Sequence, residues 1–101
     1  MGESDRPEHA EVLSGDVCAR VFVSGRVQGV FFRYTCAHEA RQACLRGTVR
    51  NLSDGRVEAV FQGPKQSVER LISWCHGGPP AARVADVTVS WEPVDETLLP
   101  F

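Results

Sequence analysis

Between residues 16 and 24, apolar and polar positions alternate. Val17, Ala19, Val21 and Val23 fall on one side, and Cys18, Arg20, Phe22 and Ser24 on the other. A period of two predicts a strand with one buried face and one wetter face. Gly25 and Gly29 then bracket a loop, and a helix is predicted over residues 31–44. Its buried stripe is Phe32, Cys36, Ala40, Ala43 and Cys44, while Arg41 and Gln42 turn to water. A second strand is predicted over residues 46–52 and a third over 56–62, where Val57, Ala59 and Phe61 oppose Arg56, Glu58, Val60 and Gln62. Ser53-Asp54-Gly55 lies between them, and Asp-Gly tolerates positive φ, so the two strands read as a hairpin. Pro64 suits the first position of a second helix, in which Val68, Leu71, Ile72 and Cys75 repeat with helical spacing until Gly77-Gly78 stops it. A last strand is predicted over residues 82–91, with Val87, Val89 and Trp91 on one face, ending at Pro93. Leu98, Leu99 and Phe101 make the final segment too apolar to be free in solution.

The order β-α-β-β-α-β predicts an α+β class. It is the ferredoxin-like split βαβ architecture, a four-stranded antiparallel sheet with two helices on one face. Residues 1–14 are polar and without period, and Pro7 works against a helix or strand there. They are expected to form a flexible N-terminal tail, with residues 15–101 as a single domain. A chain of 101 residues carries one core and not two. Topology alone assigns no function.

No apolar run approaches the ~20 residues that span a bilayer, and residues 1–10 lack the apolar stretch of a secretory signal. A cytoplasmic protein with no membrane partner is therefore expected. The four cysteines (Cys18, Cys36, Cys44, Cys75) lack the spacing of metal ligands, so four reduced thiols, mostly core residues, are expected and no metal. Net charge is −2. Between residues 20 and 50, however, six arginines (Arg20, Arg26, Arg33, Arg41, Arg46, Arg50) face one acid, Glu39. A local positive excess in an acidic chain fits a small anionic ligand better than a nucleic acid. An RNA-binding sheet of this topology needs aromatic residues on the open faces of its central strands. Here the third strand has only Phe61, on its apolar face, and the first only Phe22.

The residues between the first strand and the first helix suggest what the anion is. Glycines let a backbone curl until successive N–H groups share one concavity, and the helix N-terminus adds the positive end of its dipole. The stretch from Gly25 to Arg33 would supply that cradle, with Arg33 adding a charged, forked donor.

Residues 25–33 (Gly25, Arg26, Val27, Gln28, Gly29, Val30, Phe31, Phe32, Arg33) resemble the first motif of the acylphosphatase family, G-x-V-Q-G-V-x-F-R, at every fixed position. A second family motif is matched from Gly47 through Arg50, Asn51, Ser53, Asp54, Gly55 and Val57 to Gly63. It departs at Thr48, where the family usually has an aromatic residue, which would add packing or acyl-group contact at the mouth of the site. The resemblance spans residues 16–92. It implies hydrolysis of the carboxyl-phosphate bond of small acyl phosphates; as the sequence shows no metal-ligand set, activity without cofactor or metal is expected. It implies that Arg33 and the loop amides of Val27, Gln28, Gly29, Val30, Phe31, Phe32 and Arg33 bind the phosphoryl group and that Asn51 holds the attacking water. The alternative on the same fold is a non-catalytic phosphate- or anion-binding module. A monomer is expected.

Overall fold

The computed structural model describes residues 15–101. The expected N-terminal tail lies outside the described residues. The chain runs β1 (Asp16–Arg26), α1 (Phe32–Gln42), β2 (Arg46–Asn51), β3 (Val57–Pro64), α2 (Lys65–Cys75) and β4 (Arg83–Glu92). The four strands form one antiparallel sheet in the order β2-β3-β1-β4. Both helices pack on the same apolar layer, where Val21, Val23, Phe32, Cys36, Phe61, Val68, Leu71 and Cys75 are buried. The split βαβ expectation holds.

Three local expectations do not, each for a physical reason. The first helix ends at Gln42 and not Cys44. Cys44 N–H donates to Arg41 O and Leu45 N–H to Ala40 O, both at 3.0 Å, which is a Schellman cap with Cys44 left-handed at φ 59°. Cys44 is therefore exposed, and Leu45 takes the buried place assigned to it. Phe31 likewise stands before the helix. Pro64 does not open the second helix, because its extended ψ of 139° keeps it as the last residue of β3, paired with Asp16. Val87, Val89 and Trp91 share the helix-facing side of β4 as expected, opposite Val23, Val21 and Ala19, although Val89 and Trp91 are exposed there. β4 is an edge strand, and the helices pack over the other three strands.

Burial of β3 is more complete than its alternation suggests: Glu58 and Gln62 on its outer face are buried too. Gln62 exchanges hydrogen bonds with the Asp95 backbone, at 2.7 and 2.9 Å. The last residues then lie along the open edge of β2. Gly47 N–H donates to Leu99 O at 2.9 Å and Phe101 N–H to Leu45 O at 3.2 Å. The Phe101 ring sits 5.9 Å from that of Phe61. The apolar final segment thus covers an edge that would otherwise offer unpaired backbone groups. Cys18, Cys36 and Cys75 are buried free thiols. The adjoining Cys75 thiol, then burial, push the Cys36 thiol well up.

Glu58 is held by two cations. Arg50 Nε reaches Oε1 at 2.6 Å and Arg20 Nη1 reaches Oε2 at 2.9 Å, while Arg20 Nε also pairs with Glu92 at 2.7 Å. Burial alone would raise the Glu58 carboxyl; the hydrogen bonds from Arg50 and Arg20 outweigh it and hold the group below the usual glutamate range. A lowered native value adds stability that is complete above the unfolded value, about 4.3. It is lost as the pH falls through the native one. Glu58→Gln is therefore expected to lower stability at neutral pH by ~1–3 kcal/mol. The gap to wild type should close as urea titrations move below about pH 4. A gap independent of pH would contradict this account.

Candidate active site

β1 continues past Ser24 because the chain shifts register against β4 between Ser24 and Gly25. A Cβ on Gly25 (φ 118°) would press on the Arg83 carbonyl and lie 2.7 Å from Ala85 N. Glycine at this position serves the pairing of two strands. Gly29 differs: at φ 76° its missing Cβ would meet nothing within 4 Å, so only the left-handed backbone asks for glycine. Phe31 is also left-handed, at φ 66°, without that excuse. A bulky residue there is uncommon, and such residues gather at binding sites.

The two left-handed residues fold the loop over the start of α1. Among the described residues no side chain caps that helix, and its first turn holds no acid. The first-turn N–H groups therefore face outward as unused donors. Thr35 N–H is the first to find a helical partner, Phe31 O at 3.0 Å.

These features border a concavity of about 300 Å³ lined by Gly29, Phe31, Phe32, Arg33, Tyr34 and Asn51. Arg33 comes from the first turn of α1; Asn51 is the last residue of β2, opposite Val57. Residues 18 apart in sequence are thus brought to one cleft by the pairing of β2 on β3 and of β3 on β1. Both are exposed, and among the described residues neither side chain has an ion-pair or hydrogen-bond partner. None of the lining side chains is a histidine or a carboxylate.

Of the loop positions expected to form the cradle, Gly29, Phe31, Phe32 and Arg33 line the concavity. Val27 is buried and Val30 is packed against the core, so their side chains anchor the loop from beneath. Gln28 points its carboxamide at the β2–β3 hairpin, with Nε2 2.7 Å from Leu52 O and 2.9 Å from Arg56 O. Thr48 is not at the mouth. It faces the outer side of the sheet, opposite Val60, and does not line the concavity. The apolar wall comes instead from Phe31 and Tyr34, which are 77% and 75% exposed. The signal for Tyr34 was its place one turn beyond Phe31, on the same side of the helix start.

A larger groove of about 600 Å³ runs between α2 and the end of β4, past Val17, Lys65, Glu69, Trp91 and Val94. Its one cation stands beside an acid on the same helix, and no glycine loop borders it. Chemistry favours the smaller cleft. The outer sheet face offers no stacking platform either, since Arg56 already covers the Phe22 ring at 4.7 Å. Among the described residues, no three His, Cys, Asp or Glu side chains group as metal ligands, and no helix is long and apolar enough to cross a membrane.

The acylphosphatase family model matches residues 19–101. An acylphosphatase of Chloroflexus aurantiacus is 59% identical over 76 residues, covering 75% of this chain and 83% of its own. One of Haloquadratum walsbyi is 60% identical over 73 residues, covering 72% of this chain and 78% of its own. The solved acylphosphatase of Coxiella burnetii superimposes with a TM-score of 0.81 at 40% identity, over 85% of this chain and 90% of that one. The chain belongs to the acylphosphatase family, enzymes that hydrolyse acyl phosphates.

Proposed function

We propose that the cleft between the glycine loop and the end of β2 is where the carboxyl-phosphate bond is cleaved, with Arg33 and the loop amides binding the phosphoryl group and Asn51 orienting water. One observation carries the reading: a charged fork, a neutral carboxamide and an uncapped helix start converge on a single concavity.

The residue types suit the reaction. The leaving group is a carboxylate with an ordinary pKa near 4, so it departs unprotonated and asks for no general acid. Water must instead approach phosphorus against negative charge, and positioning with electrostatic stabilisation carries that step. The Arg33 guanidinium and the N–H groups from Gly29 to Arg33 neutralise the equatorial oxygens. The Asn51 carboxamide accepts one hydrogen bond from water and donates another, fixing the nucleophile without titrating. The water oxygen bonds to phosphorus as the bond to the carboxylate oxygen breaks. The water proton passes to a phosphate oxygen, giving carboxylate and inorganic phosphate. Phe31 and Tyr34 form the wall along which the acyl group lies.

Hydrolysis of benzoyl phosphate by the wild type, with and without a chelator, tests this. Rapid turnover that the chelator leaves intact is expected, inhibited competitively by inorganic phosphate. Folded protein that binds phosphate and leaves the substrate whole would overturn it.

A further inference from the structure

The Gln28 side chain belongs to the loop but works on the hairpin. Its Nε2 lies 2.7 Å from Leu52 O and 2.9 Å from Arg56 O. Two acceptors face it, so both amide protons are committed and the carboxamide has one orientation. The two carbonyls are the pair that closes the hairpin neck: Leu52 N–H donates to Arg56 O at 2.8 Å, and Gly55 N–H to Leu52 O at 3.1 Å. Gln28 thus uses the second lone pair of each. Leu52 directly follows Asn51, and Gly29, which lines the cleft, directly follows Gln28. A single half-buried side chain therefore ties the phosphate side of the cleft to the water side, at the residue next to each.

We propose that Gln28 is a positioning residue: it fixes the separation between the phosphate loop and Asn51 and thereby sets the line along which water meets phosphorus. The assignment rests on the reading of Asn51 given above. Other elements hold each half separately. Val27 anchors the loop in the core, and the β2–β3 ladder ends with the Asn51–Val57 pair. Losing the clamp would leave both halves formed and let them drift relative to one another. A misplacement of ~1 Å costs ~10²-fold in rate, so drift should appear in turnover more than in binding.

The test compares wild type, Gln28→Met, Asn51→Ala and the double variant on benzoyl phosphate. Methionine keeps the length of the side chain and removes both donors. Gln28→Met is expected to lower kcat by ~10–100-fold. The inhibition constant of inorganic phosphate should stay within about threefold. In the Asn51→Ala background the same change should cost less than about threefold, since the group being positioned is already gone. An equal loss in both backgrounds, or a loss of phosphate affinity that matches the loss of kcat, would overturn the assignment. Amide exchange of Leu52 and Gly55 provides a readout independent of turnover, and Gln28→Met should quicken it about tenfold or more. Exchange left unchanged would refute the clamp even in an active enzyme. A wild type without turnover would refute the reading of the reaction instead, with the exchange result still deciding the clamp.

Discussion

Arg33→Gln is expected to lower kcat/KM for benzoyl phosphate by at least ~10²–10³-fold. It should also abolish competitive inhibition by inorganic phosphate at concentrations that half-inhibit the wild type. The melting temperature should barely move. The reasons lie in where Arg33 sits. It stands in the first turn of α1, exposed at the edge of the cleft, where no carboxylate among the described residues neutralises it. Its neighbours in the cleft are backbone donors, two apolar walls and a neutral amide, so among the described residues it is the one full charge lining that space. A phosphoryl group carries negative charge in the ground state and spreads it over its equatorial oxygens in the transition state. Losing the guanidinium therefore weakens binding and chemistry together. Glutamine keeps much of the helix propensity, and exposed substitutions away from caps and cores rarely exceed ~0.5 kcal/mol in stability. Arg33→Lys separates charge from geometry, because it retains the first and loses the fork; an intermediate rate is expected. A glutamine variant with wild-type phosphate inhibition would remove Arg33 from the site.

Much of this fold could be read from the chain because burial leaves a periodic trace. β1 alternates, and its inner face is Val17, Ala19, Val21 and Val23, the last three fully buried. Val68, Leu71 and Cys75 recur at helical spacing and are buried. Helix ends were harder, because caps are set by single backbone conformations. Nothing in a cysteine announces a left-handed residue, so Cys44 read as one more stripe position. The outer face of β3 misled for another reason. Glu58 and Gln62 are polar, but ion pairs and a returning segment cover them, and a pattern of apolar residues does not record what long-range partners cover.

The site divides in the same way. Residue types and the glycine loop were legible in the sequence, since φ above zero at Gly29 is a local demand. The direction of each loop side chain was not. Val27, Gln28 and Val30 belong to the same stretch as Arg33, yet two go to the core and one to the hairpin. Thr48 shows the limit from the other side. One residue of offset along β2 decides whether a side chain faces the helices or the open face, and Thr48 falls on the open one.

Asn51 provides the sharper division of roles. Asn51→Ala should lower kcat by ~10²–10³-fold while the inhibition constant of inorganic phosphate stays close to wild type. The asparagine stands at the end of β2, across the cleft from the loop amides, so it can hold water without being needed to hold phosphate. A pure loss in kcat is the signature of an interaction made with the nucleophile in the transition state. Because the residue is exposed and ends its strand, stability should change little. Asn51→Asp sharpens the test. Its shape is nearly the same, but above the ordinary carboxylate range it puts a negative charge near the phosphoryl oxygens. It should therefore lose phosphate affinity as well as turnover, and regain affinity as the pH falls below about 4. Among the described residues no histidine or carboxylate lines the cleft, so no bell should shape the wild-type rate between about pH 5 and 8. A bell there, or an alanine variant that loses phosphate affinity as steeply as rate, would move Asn51 from the water to the phosphate.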